Sequence, residues 1–243
     1  MKILEIKKLS KKFGEKNILD DVNFELDVGE CLGIVGKSGC GKSTTVKIIT
    51  KLLEADEGEI ILEGKDITHE KNLKEIYAKM QMIFQNPEES FNPRKTIGWS
   101  VGEALRNQKY DNVKERVKKL LCEVGLNEEY FDRYPHEISG GECQRAAIAR
   151  ALSINPKILI CDEATSALDV STQSKIIKLI KKFSVEKKIA CIFITHDLSI
   201  LSEIADKVIV MNEGKIVEIG EVKEIIKNPQ SIYTKELIEA AFF

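Results

Sequence analysis

The sequence predicts an α/β fold with a mainly parallel sheet, and three observations carry that reading. The short apolar runs "CLGIVG", "KILICDE" and "IACIFITH" have the length of strands buried on both faces. Helical stretches separate them: "STTVKIITKLL" repeats its apolar residues at Val46, Ile49 and Leu53, and "TQSKIIKLIKKF" is amphipathic. Strands that alternate with helices imply a parallel sheet covered by helices on both faces. The third observation is an interruption. From about Ser90 to Arg150 strand signals vanish.

The elements follow in order. "ILEIKKLSKKF" and "VNFELDVGE" alternate apolar and polar residues, which fits half-buried antiparallel strands at the N-terminus. "CLGIVG" runs into a glycine-rich loop, and the helix "STTVKIITKLL" comes next. "GEIILEGKDI" reads as a fragment of a strand pair, and "QMIFQ" as another short buried strand. Val113, Val117, Leu120, Leu121 and Val124 then mark one apolar helical stripe. Residues 90–150 are therefore expected to form a helical insertion between residues 1–89 and 151–243, all within a single domain. "KVIVMNEGKIVEIG" reads as a hairpin around Asn212, Glu213 and Gly214, and "YTKELIEAAFF" as a last helix.

Bulk composition narrows the classes. The chain has 243 residues, 43% hydrophobic and 31% charged, an ordinary globular balance. Its formal net charge is −2, so a chain-wide basic footprint for nucleic acid is missing and no nucleic-acid partner is expected. The mixed charges of "VKERVKKLLCEVGL" read as a solvated helix face. The six cysteines, at 31, 40, 122, 143, 161 and 191, form no Cys-x-x-Cys pair. They read as small core residues of a reduced compartment, with no disulfide framework or zinc site. "MKILEIKKLS" lacks the apolar region of a signal peptide. No apolar run approaches the roughly 18 residues of a membrane span, so any membrane role is expected to run through partners.

The chemistry concentrates in a few short stretches. Gly36 to Ser43, "GKSGCGKS", matches G-x-x-x-x-G-K-[ST] between a strand and a helix. Glycines let such a loop close on phosphate oxygens and aim backbone N–H groups at them. Lys42 is placed to bridge β- and γ-phosphates, and Ser43 to offer its hydroxyl to Mg²⁺. Asp162 and Glu163 end a buried strand, where one carboxylate can join the Mg²⁺ shell and the other polarise a water. His196 ends the next strand and is expected at the same sheet edge. Gln85 also follows an apolar strand, and its amide oxygen can reach Mg²⁺ or the attacking water. In "EISGGECQRAAIAR", Ser139, Gly140 and Gly141 break the chain just before a helix, a second place suited to an anion.

The ordered set "GKSGCGKST", "MIFQNP", "ISGGECQRAAIARAL", "ILICDEATSALD" and "FITHDLSI" resembles the ATP-binding subunits of ABC transporters over nearly the whole chain. That resemblance implies a P-loop NTPase core of the ABC ATPase type, with an N-terminal antiparallel β-subdomain and an inserted helical subdomain. It implies ATP and Mg²⁺ as ligands, and hydrolysis of ATP to ADP and phosphate coupled to transport. Gly36, Lys37, Ser38, Gly39, Cys40, Gly41, Lys42, Ser43 and Thr44 correspond to the phosphate loop. Gln85 corresponds to the glutamine that senses Mg²⁺ and water, Asp162 to the Mg²⁺-shell aspartate, Glu163 to the general base, and His196 to the switch histidine at the γ-phosphate. Ser139, Gly140, Gly141 and Glu142 belong to the signature that closes on ATP held by an opposing subunit, and Asp169 to a loop crossing that interface. Phe13 stands where the family places an aromatic on adenine.

Two departures from the family pattern fall in the signature. Ile138 replaces leucine, and Glu142 stands where glutamine is usual. Glu142 can still accept from a ribose hydroxyl, at the cost of added charge near a nucleotide.

Finer similarity, in "FQNPEESFNPRKTIG" and "NPQSIYTKELIEAA", points to oligopeptide, dipeptide and nickel importer subunits. It implies a second ATPase subunit (a related heterodimer partner, or another copy of this chain), transmembrane permease subunits and, indirectly, an extracytoplasmic solute-binding protein. The implied location is peripheral, on the cytoplasmic face of the cell membrane. Phe91 and Trp99 flank the entry to the helical insertion and are candidates for a permease contact or for insertion core. The alternatives are a soluble ABC-type ATPase outside transport and a nucleotide switch that does not hydrolyse. Glu163, a base in the right place, argues against the second.

Overall fold

The computed structural model describes residues 1–165 and 168–242. The chain opens with β1 (Lys2–Phe13) and β2 (Lys16–Asp27), an antiparallel pair, and the short buried β3 (Cys31–Val35). Helix α1 (Lys42–Ile49) leaves the glycine-rich loop. Strands β4 (Glu57–Leu62) and β5 (Lys65–Asp66) follow, then helix α2 (Leu73–Lys79) and strand β6 (Met80–Ile83). Between β6 and the next strand the α-helices are α3 (Ile97–Val101), α4 (Glu103–Asn107), α5 (Val113–Glu123) and α6 (Gly140–Leu152). The chain then runs through β7 (Ile158–Asp162), α7 (Val170–Lys187), β8 (Ala190–Ile194), α8 (Leu198–Ile204), β9 (Lys207–Asn212), β10 (Lys215–Glu221), α9 (Val222–Lys227) and α10 (Ile232–Phe242).

Two sheets result. One is antiparallel, in the order β2-β1-β4-β5; the other runs β10-β9-β3-β8-β7-β6. In the larger sheet β9, β3, β8, β7 and β6 are parallel, and β10 closes one edge as an antiparallel hairpin. The α/β class with a mainly parallel sheet and an antiparallel N-terminal sheet is therefore what the chain adopts.

The central strands are apolar throughout because both faces are covered. Their alternate residues enter different cores. Leu32, Ile34, Ile158, Ile160, Ile192 and Ile194 pack with α1 and the inner face of the antiparallel sheet. Cys31, Val35, Leu159, Cys161, Cys191 and Phe193 pack with the helices on the other side. Five of the cysteines are buried, as their apolar settings imply, whereas Cys122 is exposed on α5. The predicted stripe forms the buried face of that helix at Val117 and Leu121, with Val124 just beyond its end.

Three features depart from the sequence reading. Strand β2 begins at Lys16, earlier than the alternation starting at Val22, because it pairs with β1 from Phe13 onward. The "QMIFQ" strand is buried only at its ends, Met80 and Ile83, and stops before Phe84. As the outermost strand it has one neighbour, β7. Helices α2, α8 and α9 are short, of six or seven residues, too brief to show a clear helical period.

Candidate nucleotide site

Parallel register brings the chemistry to one edge. Ile34 pairs with Ile194, Ile194 with Asp162, and Cys161 with Ile83. The carboxyl ends of β3, β8, β7 and β6 therefore lie side by side, and each hands its next residues to the same crevice. This is the edge at which open α/β sheets bind ligands.

After β3 the chain turns through Gly36 to Gly41. Lys37, Ser38 and Gly39 are exposed, and Cys40 is buried. Gly41 is the N-cap of α1, with φ 110°. A Cβ there would lie 2.6 Å from Leu19 Cδ2 and 2.9 Å from the Ile18 carbonyl oxygen. Glycine is thus required both by the backbone angle and by the close approach of β2. Lys42 follows, 5% exposed, and its ammonium folds back to donate to the carbonyls of Gly36 (2.7 Å) and Lys37 (3.1 Å). The charge is held at the mouth of the loop it would serve. Thr44 is half-buried in the first turn of α1.

Ser43 Oγ donates to Asp162 Oδ1 at 2.9 Å. Asp162 is 8% exposed, and burial pushes its carboxyl above the usual range despite that hydrogen bond. A hydroxyl and a buried carboxylate in contact make a hard oxygen donor set, and a positive partner would relieve the cost of the buried charge. The pair fits Mg²⁺.

Glu163 takes a positive φ of 48°, unusual for a residue with a side chain. Its backbone N–H donates to the Ile194 carbonyl at 3.1 Å. Its carboxylate accepts from Gln85 Nε2 at 3.1 Å and lies 4.0 Å from His196 Nδ1. Gln85 is exposed and His196 is 64% exposed, so both face the open side of the crevice.

A second group forms around the start of α6. Ser139 caps that helix: its Oγ accepts from the Glu142 N–H (3.4 Å), and Glu142 Oε2 accepts from the Ser139 N–H (2.8 Å). The other Glu142 oxygen accepts from Tyr130 Oη at 2.5 Å. Both oxygens of the expected ribose acceptor thus already have partners within the chain. A Cβ on Gly141 would stand 2.8 Å from Thr172 Cγ2. The Thr172 N–H is in turn capped by Asp169 at 3.0 Å. The starts of α6 and α7 are therefore neighbours, and Ser139, Gly140, Gly141, Glu142 and Asp169 share one surface. Gly140 and Leu168 border the same hollow as Asn86, Pro87 and Glu88.

Among the described residues, no hydrogen bond or ion pair joins Ser139, Gly140, Gly141 or Glu142 to Lys42, Ser43 or Asp162. One chain carries two groups suited to phosphate, and neither kind of contact links them. Phe13 is 52% exposed at the end of β1, with the Lys11 ammonium 5.6 Å from its ring centroid.

The two insertion aromatics separate. Phe91 is buried beneath the Arg150 guanidinium, 4.4 Å from the ring centroid. Trp99 is 36% exposed, between Lys95 and Arg106. Sequence reasoning missed Tyr130 as a partner of Glu142. Its signal was only a tyrosine twelve residues upstream, on a different element.

A family profile described as ABC transporter matches residues 19–166, more than half of the chain. The chain belongs to the ABC transporter family. Within it, the chain is 45% identical to the oligopeptide transport ATP-binding protein OppF of Bacillus subtilis, over 98% of this chain and 82% of that protein. The corresponding OppF of Escherichia coli is 44% identical over 91% and 68%. Among solved structures, cbiO1 from Clostridium perfringens, part of the ABC transporter complex cbiONQ, superposes with a TM-score of 0.85 at 30% identity, over 93% of this chain and 91% of that one. An ATP-binding cassette solved as a dimer in a post-hydrolysis state, bound to ADP and Pi, gives 0.81 at 31% identity over 90% and 98%. The ABC ATPase fold expected from the motifs is the fold of these neighbours. As a member of this family the chain is an ATP hydrolase of the transport type.

Proposed function

We propose that this ABC subunit powers import of peptides, and that its working form is a pair of ATPase subunits enclosing two nucleotides. The observation that carries the reading is that, among the described residues, no hydrogen bond or ion pair joins the two phosphate-suited groups of one chain. Each site is completed when the loop Gly36–Thr44 of one subunit meets the Ser139–Glu142 segment of the other. Dimeric assembly of a similar cassette with ADP and Pi supports the arrangement, and the names of the OppF relatives support peptides over nickel as cargo and transport over the soluble alternatives.

The residues divide the work. Backbone N–H groups from Gly39 to Thr44 cradle the phosphates, and Lys42 turns its ammonium from its own loop carbonyls to the β- and γ-oxygens. Ser43 and Asp162 hold Mg²⁺, with Gln85 at its edge. Bound there, Mg²⁺ supplies charge neutralisation at the phosphate oxygens. Glu163 accepts the proton of the attacking water, positioned by Gln85 and His196. His196 also faces the γ-phosphate. Phe13 covers the adenine. Asp169, at the start of α7 beside the signature, contributes to the contact between subunits.

In this reading residues 1–243 act as one ATPase domain, in which 90–150 is a helical subdomain within a core formed by 1–89 and 151–243. The helical part and Trp99 meet transmembrane permease subunits, which receive cargo from an extracytoplasmic binding protein. Among the described residues no helix is long and apolar enough to cross a membrane; in this reading the permease contacts hold the subunit peripherally at the cytoplasmic face. Glu163→Gln should lower turnover by about 10²- to 10⁴-fold and trap an ATP-loaded pair in gel filtration. Unchanged turnover in that variant overturns the assignment of the base.

A further inference from the structure

The peptide plane joining Gly36 and Lys37 is held at both ends. Its carbonyl, on Gly36, accepts from the Lys42 ammonium at 2.7 Å. Its N–H, on Lys37, donates to Tyr233 Oη at 2.9 Å. The Lys37 ammonium also lies 5.5 Å from the Tyr233 ring centroid. The next carbonyl, on Lys37, accepts from Cys40 N (3.3 Å) and again from Lys42 (3.1 Å). Lys37 is therefore the shoulder on which the loop turn and the Lys42 side chain both rest, and a phenol 196 residues away fixes its orientation.

The phenol stands on firm footing. Tyr233 lies in the first turn of α10, and the segment before that helix is tied to β10: Glu218 accepts from the N–H groups of Gln230 (2.9 Å) and Ser231 (3.0 Å). Tyr233, Leu237 and Ile238 pack on the helical side of the core. Ser38 and Gly39, by contrast, are exposed, and the tip is held on either side, by the Gly214 N–H on the Cys40 carbonyl (3.0 Å) and by Tyr233 on Lys37.

We infer that Tyr233 is a positioning residue for ATP binding, its hydroxyl presetting the curvature of the phosphate loop from the C-terminal helix. Holding the loop in shape before the nucleotide arrives reduces the ordering cost of binding. The inference rests on the reading of Gly36–Thr44 as the ATP site. Tyr233→Phe keeps the ring and removes the hydroxyl. In the full chain with Mg-ATP, it should raise the Kd for ATP about two- to tenfold, the worth of one hydrogen bond. In assembled subunits it should raise KM by a similar factor with kcat within about twofold. Ile180→Ala opens the same core from α7, an element that carries neither Tyr233 nor the loop. It should lower the melting temperature at least as much as Tyr233→Phe while ATP affinity stays near the parent value. An unchanged Kd in Tyr233→Phe overturns the inference, as does an equal loss of affinity in Ile180→Ala. Lys42→Ala separates the two readings: if it binds ATP normally, the site assignment itself is wrong; if it loses ATP while Tyr233→Phe does not, only the role of Tyr233 fails.

Discussion

Ser43 and Asp162 touch across 119 residues of chain: the hydroxyl at the start of α1 donates to the carboxylate that ends β7, at 2.9 Å. The contact joins the glycine-rich loop to the central sheet and sets the two oxygen donors of the proposed cation site side by side. It also leaves a buried carboxylate whose desolvation outweighs the Ser43 hydrogen bond and the nearby Lys47 and Lys42 charges.

Ser43→Ala removes that hydroxyl. A hydrogen bond to a charged group is worth about 1.5–3 kcal/mol, so Mg²⁺-dependent ATP affinity should fall roughly 10- to 100-fold. Titrations with and without Mg²⁺ check this. The loss belongs to the Mg²⁺-dependent part; an equal loss in chelator would point to the loop rather than the cation site.

Gly41→Ala places a methyl against Leu19 and the Ile18 carbonyl, at a backbone angle that resists any side chain. Local strain of this kind costs about 1–3 kcal/mol. Melting should drop by several degrees and nucleotide binding should weaken, because relieving the clash moves the loop. A variant that melts and binds like the parent would show that β2 yields freely at Ile18 and Leu19.

The Tyr130–Glu142 pair gives a pH dependence. Donation by the Tyr130 hydroxyl, then by the Ser139 N–H, holds the Glu142 carboxyl below its ordinary value of 4.5. The folded state therefore binds this proton less readily than the unfolded chain. Its stabilisation is present above pH 4.5 and is lost as pH falls through the lower folded value. Tyr130→Phe removes the strongest donor, so stability should fall throughout the range above pH 4.5, neutrality included, and the difference from the parent should close as pH drops below it. Melting curves from pH 3 to 7 read the difference directly.

Phe193 is fully buried in β8, among the largest side chains with no solvent contact. Phe193→Ala should destabilise the fold by about 3–5 kcal/mol. Denaturant unfolding would measure it, and a loss under about 1 kcal/mol would mean the helices collapse into the space.

Much of this site is legible in the primary sequence. Gly36–Ser43, Asp162, Glu163 and His196 each follow an apolar run, and parallel strands of similar length must deliver their carboxyl ends to a common edge. The residues that proved hardest to read are those whose partners lie on other elements. Glu142 reads as a nucleotide ligand from its place in the signature, yet its oxygens are taken by Ser139 and Tyr130. Tyr233 reads as one residue of a terminal helix until its hydroxyl is found on the loop. Phe91 and Trp99 share a neighbourhood in sequence and opposite fates in burial.

The sequence alone determined the strand–loop–helix unit, the alternation that builds the sheet and the candidate reactive groups, because these depend on local period and residue type. Only the tertiary structure decided which groups meet: Ser43 with Asp162, Tyr130 with Glu142, Tyr233 with Lys37, and the signature with the start of α7 rather than with its own phosphate loop. Those pairings depend on how helices cross the sheet, and packing of whole faces fixes that crossing where no short stretch of sequence records it.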